Sequence, residues 1–295
     1  MAKVLIAINN YNYGRFIDCC VRSALNQSYR DVNVLVIDDG STDSSLAVFD
    51  KLASNYPSLQ IKQKVNGGQL SAFNTIGNYL EGIEWVFFLD ADDFYSMNYV
   101  QTVLDAAPDN VDVVYCGERI AEENVEFGQY PDCKTKMSMS VSMVPCSVHI
   151  TLVMTRVIMR PTSGIVVRAS KLKELLPIPF EDMWRISADV AFAVAASLHG
   201  ARIAFLHNVV FNRRRHGQNA VLGNQINAKR KVENKINTKR LIEHIADKKQ
   251  ITRRGSHLRA MVEAAGVVSD RKRQINVPET WRVLADWLFG RWRRF

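Results

Sequence analysis

The first part of the chain alternates short apolar runs with stretches of helical spacing. Val4 to Ile8 is an uninterrupted apolar run of strand length, and Phe16, Cys19, Cys20, Ser23 and Ala24 follow at helical intervals. A second run, Val32 to Ile37, closes on Asp38-Asp39-Gly40. Ser41, Thr42 and Asp43 then offer helix N-caps, ahead of a helix expected to turn Leu46, Phe49 and Leu52 inward. A third strand is expected near Leu59 to Val65, ending in Asn66-Gly67-Gly68, with a helix from about Gln69 to Leu80 behind it. Trp85 to Leu89 is the fourth strand and ends at Asp90-Ala91-Asp92-Asp93. Strands and helices at this spacing predict an α/β fold with a mostly parallel central sheet flanked by helices. Each acidic or glycine-rich cluster falls directly after a strand, on the carboxyl edge where open α/β sheets bind ligands.

Beyond Glu118 the pattern loosens. Residues 121–150 are polar and rich in Met and Ser, with the composition of an acceptor-facing insertion or a mobile loop. Order returns at Arg160-Pro161-Thr162-Ser163-Gly164, followed by a short strand and a helix near Ser170 to Leu175. Ser187 to Leu198 is apolar nearly all round, which predicts a buried helix with Asp189 in its first turn. Ile203 to Phe211 reads as a strand that delivers the polar run at 212–219.

Charge divides the chain in the same place. Residues 1–219 carry a net −3 and residues 220–295 a net +11, so a main domain is expected to end near 219 and a basic helical extension to follow. Within the main domain the pattern changes near residue 118, which divides it into halves 1–118 and 119–219. The extension has a helix over about 224–249 and another opened by Pro278. In the latter, Trp281, Leu284, Leu288 and Trp292 share one side, with Arg282, Arg291, Arg293 and Arg294 around them. That combination suits an anionic membrane surface, and docking onto the main domain or onto a second subunit of a homo-oligomer is the alternative.

With 47% apolar and 9% aromatic residues, the 295-residue chain can bury a sizeable core, which excludes disordered and disulfide-stapled classes. Cys19, Cys20, Cys116, Cys133 and Cys146 are odd in number and lack metal-ligand spacing, as expected in a reducing cytoplasm. Neither a signal peptide nor a run long enough to span a bilayer is present, so a cytoplasmic protein, peripheral on the inner face of the cell membrane, is expected. A nucleic-acid-binding protein with a basic tail is a competing class, but the main domain is acidic and carries no recognition motif, so no nucleic acid partner is expected. A phosphoacceptor receiver module is another, although its acid pair would end the first strand and here the pair ends the second.

The acidic clusters carry the candidate chemistry. Asp90, Asp92 and Asp93 crowd negative charge at one strand end, which a hard divalent cation, Mn²⁺ or Mg²⁺, would neutralise together with substrate phosphates. An N-cap with acidic first-turn residues reads equally well for this triplet alone. Asp38-Asp39 could recognise a nucleobase N–H or cap the next helix. Asn66-Gly67-Gly68-Gln69 suits close approach by phosphate or sugar but lacks the spacing of a Walker or Rossmann loop.

Taken together, the blocks NNYNYGRFIDCCVRSALNQSYRDVNVLVIDDGSTD, NGGQLSAFNTIG, WVFFLDADD, RPTSG, PIPFEDMWRISAD and FNRRRHGQN resemble, in order and spacing, family 2 glycosyltransferases of the GT-A fold, over about residues 3–219. The resemblance implies a metal-dependent, inverting transfer of sugar from a nucleoside diphosphate sugar, UDP-linked by preference, to a hydroxyl of a glycan or lipid-linked acceptor in cell-surface polysaccharide synthesis. It implies that Asn9 and Tyr11 pack on the nucleotide, that Asp39 reads the base with support from Asp38, and that Asn66, Gly68 and Gln69 lie near ribose and sugar. Asp92 is then the direct metal ligand, with Asp90 on the sugar side. His216 joins the metal or diphosphate, Arg214 precedes it on the nucleotide sugar, and Asp189 is the catalytic base. Three departures stand out. Ala188 replaces the first acid of the family's acidic pair, which makes Glu181-Asp182 a rival base. Phe73 stands where relatives often carry a phosphate-binding Arg, a role that Arg213 to Arg215 would take over. A Q-x-x-R-W element is absent, which speaks against a processive synthase.

Overall fold

The computed structural model describes residues 3–125, 128, 131–133, 141–144, 147–155, 157, 159–217 and 228–251. Five strands and four helices come first, in near alternation: β1 (Val4–Asn10), α1 (Ile17–Leu25), β2 (Val32–Asp38), α2 (Ser45–Asn55), β3 (Gln60–Gln63), α3 (Gln69–Ile76), β4 (Trp85–Asp90), α4 (Tyr99–Ala106) and β5 (Val113–Ala121). Next come β6 (Val141–Val144), α5 (Val148–Met154), β7 (Ile165–Arg168), α6 (Ala169–Leu175), α7 (Ala188–Leu198), β8 (Ile203–Arg214) and α8 (Ala228–Lys248). The stretch read as an insertion or a mobile loop, 121–150, contains the end of β5, all of β6 and the start of α5 among its described residues.

The strands form one sheet in the order β3-β2-β1-β4-β7-β5-β8-β6. Pairs β1–β2, β1–β4, β2–β3 and β5–β8 are parallel, while β7 runs antiparallel to both of its neighbours and β6 antiparallel to β8. The central strands show why this sheet is covered on both faces. Successive side chains of a strand point to opposite sides. Leu5, Ala7, Leu35, Ile37, Val86 and Phe88 accordingly enter one core with α3, α6, α7 and α8. Val4, Ile6, Ile8, Val34, Val36, Phe87 and Leu89 enter the other with α1, α2 and α4. Leu46 departs from its expected inward placement and is exposed, because Ser45, Phe49 and Leu52 form the buried stripe of α2.

Parallel register carries the chemistry-bearing residues to one edge. Asn9 lies opposite Asp90, and Asn10 opposite Asp38, so the ends of β1, β2 and β4 are level. α7 is buried along nearly its whole length, as its composition predicts.

α8 arises from the basic stretch, yet its Leu241, Ile242, Ile245 and Ala246 are buried in the core shared with α7. An apolar stripe of this kind supplies the burial that its Lys- and Arg-rich remainder cannot. The helix expected from Pro278 lies outside the described residues. Among the described residues no helix is long and apolar enough to cross a membrane. Since Leu241 is fully buried, Leu241→Ala is expected to cost about 2–4 kcal/mol in urea unfolding, a loss that a helix merely appended to the surface would not show.

Candidate active site

A cleft of about 680 Å³ opens at the carboxyl edge of β1, β2 and β4. Its walls include Asn9, Tyr11, Asp39, Asn66, Gly68, Gln69, Asp90, Asp92 and Asp189, together with Arg185, Arg213 and Arg230. Nine of the twelve residues to which the family resemblance gives a site role therefore share one cavity.

Asp39 organises the first wall. Its Oδ1 accepts from the Lys64 ammonium at 2.7 Å and from Gly67 N–H at 2.9 Å, and its Oδ2 accepts from Gly68 N–H at 2.7 Å. Asn66 Nδ2 donates to the Asp39 carbonyl. The loop requires glycine at position 68, where φ is +88° and an added Cβ would lie 2.4 Å from Arg185 Cα. Arg185 closes over the same loop and donates to Asn66 Oδ1. Asp38 sits beneath this wall, outside the cleft lining, where its carboxylate accepts from Asn10 Nδ2, Ser41 N–H and Ser41 Oγ. Its place in the site is thus as a support for the loop bearing Asp39.

The second wall is acidic. Carboxylate oxygens of Asp90, Asp92 and Asp93 lie within 4.8 Å of one another. Asp90 Oδ1 accepts from Asn9 Nδ2 at 2.8 Å and from Gln69 Nε2 at 3.1 Å. Burial, reinforced by Asp92, nevertheless raises its pKa to about 7. Asp93 is pushed well above the usual carboxylate range by burial and the same neighbours, although Ser163 Oγ and Arg214 N–H donate to it. Asp92 Oδ2 lies 3.0 Å from His216 Nε2, and that imidazole packs on Phe16 with ring centroids 4.5 Å apart.

Arg214 departs from the expected place on the nucleotide sugar. Strand alternation turns its neighbour Arg213 into the cleft and sends the Arg214 guanidinium behind the acidic turn. There it donates to the carbonyls of Asp92, Glu123 and Val125, between the rings of Phe16 and Phe94. Phe73 is likewise a core residue, packed on Phe88.

Asp189 forms part of the third wall, in the first turn of α7. Burial raises its pKa to about 6, against the opposing charges of Arg213 and Arg230. Gln69 joins this wall to the second, because its Oε1 accepts from Ala188 N–H at 3.0 Å while its Nε2 donates to Asp90. The rival acids Glu181 and Asp182 stand outside the cleft lining, with Glu181 held by Asn74 Nδ2 at 2.7 Å. Tyr13, Lys64, Arg185 and Arg230 were not singled out in the sequence. Only Tyr13 and Arg185 carried a signal, lying inside two of the resembling blocks, whereas Arg230 reaches the cleft from α8.

Comparison with known proteins agrees with this architecture. The family described as "Glycosyl transferase family 2" matches residues 5–176. An uncharacterized glycosyltransferase of Nostoc sp. is 31% identical over 74% of this chain and 66% of its own length. Chondroitin synthase of Pasteurella multocida is 41% identical over 34% of this chain, which is 10% of that protein. This chain thus spans under two thirds of both relatives. Among solved structures, S. aureus TarS 1-349 in complex with UDP superposes with a TM-score of 0.59 at 19% identity, covering 86% of this chain and 68% of that one. The mannosyltransferase PcManGT of Pyrobaculum calidifontis, in complex with GDP-Man and Mn²⁺, does so with a TM-score of 0.52 at 17% identity, over 99% and 82%. The shared fold is the GT-A arrangement.

The raised pKa of Asp90 has a sign that can be checked. A carboxyl group that holds its proton more tightly when folded contributes stability below its unfolded pKa, and loses it as pH rises through about 7. Metal-free Asp90→Asn is therefore expected to melt above the wild type near about pH 8, the two converging near about pH 4, as followed by thermal denaturation in chelator.

Proposed function

Because the chain belongs to glycosyl transferase family 2, we propose that it transfers a sugar from a nucleoside diphosphate sugar, UDP-linked by preference, to a hydroxyl of a glycan or lipid-linked acceptor in cell-surface polysaccharide assembly. The observation that carries this reading is the meeting, in one cleft, of Asp39, Asp92 and Asp189, with His216 against Asp92. The complexes of UDP, UDP-GlcNAc and GDP-Man with proteins of this fold support a nucleotide-sugar donor.

Base recognition falls to Asp39. Three hydrogen bonds already orient its carboxylate, and of its roughly four lone-pair directions one on Oδ2 remains for a nucleobase N–H. Tyr11, half exposed at the rim, offers an aromatic face to the same ligand. Among the described residues Asn9 Oδ1 is buried with no hydrogen-bond partner, which leaves an acceptor in the cleft wall beside Asp90.

The residues at the acidic wall fit a divalent cation. Hard carboxylate oxygens dominate, one imidazole nitrogen stands behind Asp92, and burial has already made the negative charge at Asp90 costly. Asp92 and His216 would hold Mn²⁺ or Mg²⁺, with Asp90 turned toward the sugar. Such an ion, when bound, supplies charge neutralisation for the departing diphosphate.

Asp189 takes the proton of the acceptor hydroxyl as that oxygen attacks the anomeric carbon. With a pKa raised to about 6 it is still ionised at neutral pH, and it is a stronger base than an ordinary carboxylate. A base on the side opposite the leaving group gives direct displacement, so an α-linked donor yields a β-linked product. The reaction belongs to the cytoplasmic side, with contact at the inner membrane face through the basic extension.

UDP is expected to raise the melting temperature of the wild type only when Mn²⁺ or Mg²⁺ is present, and Asp92→Ala should remove that shift; stabilisation by GDP alone would redirect the nucleotide. Asp189→Asn should keep the UDP shift and lower sugar transfer by about 10²–10⁴-fold in a donor-consumption assay, and retained turnover would exclude it as the base.

A further inference from the structure

α8 does more than cover the core. It begins at residue 228, well beyond the family match that ends at 176. Its inward polar residues grip the turn ahead of Asp189. Arg230 Nη2 lies 3.2 Å and Asn234 Nδ2 3.4 Å from Ser187 Oγ, and Asn237 Nδ2 donates to the Met183 carbonyl at 2.8 Å. Ser187 itself is held at φ +69°, immediately before α7. This grip places the Arg230 guanidinium in the cleft wall beside Asp189. Arg213 enters the same wall from β8, where Glu118 accepts from its Nη1 at 2.9 Å.

Arg213 and Arg230 line the same cleft as Asp189, and both act on its carboxylate. Arg213 and Arg230 are the charges that lower the proton affinity of Asp189, whereas Asp92 and Asp189 raise that of Asp90, and Asp92 and Asp90 that of Asp93. Two cations beside a general base weaken it, so an arrangement that serves only proton abstraction gains nothing from them. A negatively charged group seated between them offsets that effect, and the planar fork of arginine matches phosphate or carboxylate oxygens. The outer face of α8 continues the same charge, since Lys231, Lys235, Lys239 and Arg240 are all exposed along it.

We propose that Arg230 and Arg213 form a subsite for an anionic group, phosphate or carboxylate, carried by the acceptor. The proposal rests on the reading of the cleft as a glycosyl-transfer site with Asp189 as base. It narrows the acceptor to an acidic glycan or a phosphate-bearing carrier, entering along α8. Arg185, on the opposite rim and tied to Asn66, stays with the nucleotide loop.

The test uses the full chain saturated with UDP and Mg²⁺, so that the diphosphate position is filled before a second anion is offered. Inorganic phosphate, methyl glucuronide and neutral methyl glucoside are titrated by calorimetry. Phosphate or the glucuronide is expected to bind saturably and the glucoside not, and the anion that binds identifies the acceptor's charged group. Arg230→Gln should weaken that binding by about tenfold and Arg230→Lys less, with UDP affinity kept within about twofold in both, and Arg213→Gln should weaken anion binding likewise. Binding of the glucoside as strong as that of the anions, no anion binding, anion binding indifferent to both glutamine variants, or UDP affinity falling in step with it would each overturn the subsite. Failure of UDP to bind at the outset would instead remove the donor reading, and the subsite with it.

Discussion

Three carboxylates forced to within 4.8 Å of one another at the end of β4 are the constraint around which the rest of the cleft is built. Burial raises the proton affinity of Asp90 and Asp93, and their like-charged neighbours add to the effect. Each acid is met by a different support. Asn9 and Gln69 donate to Asp90, Ser163 and the Arg214 backbone donate to Asp93, and the His216 imidazole faces Asp92. The Arg214 side chain braces the turn from behind through the Asp92 carbonyl. These contacts hold the acids in place at the cleft wall.

A second feature is that the walls are joined rather than adjacent. Gln69 spans from Asp90 to the first N–H of α7, so the placement of the acidic wall and of Asp189 is linked by one amide. Gly68 lets the segment around Arg185 lie directly on the β3–α3 loop, and Gln69 N–H donates to the Arg185 carbonyl. α8 fixes the far side of that segment through Ser187 and Met183. Asp189 is thus positioned by pieces of chain that lie far apart in sequence, and a basic helix outside the family match has become part of the site wall.

Much of this was legible in the residues alone. Short, nearly unbroken apolar runs identified β1, β2 and β4, and the spacing of strands and helices put Asp39 and Asp90 to Asp93 on one edge. The apolar surround of α7 marked it as buried with Asp189 in its first turn. Arg214 was misplaced because a match of residue order does not say which face of β8 a side chain takes, and neighbouring positions 213 and 214 point opposite ways. Leu46 was misplaced for a related reason, since Ser45 rather than Leu46 begins the buried stripe of α2.

The sequence by itself determined the order of the elements from β1 to β4, the mostly parallel sheet type and the residue types of the acidic edge, because these follow from local apolar patterning and from what a strand end exposes. Only the tertiary structure decided which arginines enter the cleft, that Gln69 bridges two walls, and that the basic stretch around α8 folds back onto α7. Those outcomes depend on contacts between residues more than a hundred positions apart, as with Gln69 and Ala188, or between helices whose packing faces emerge only when both are present. Such long-range pairings leave no periodic trace in the chain that makes them.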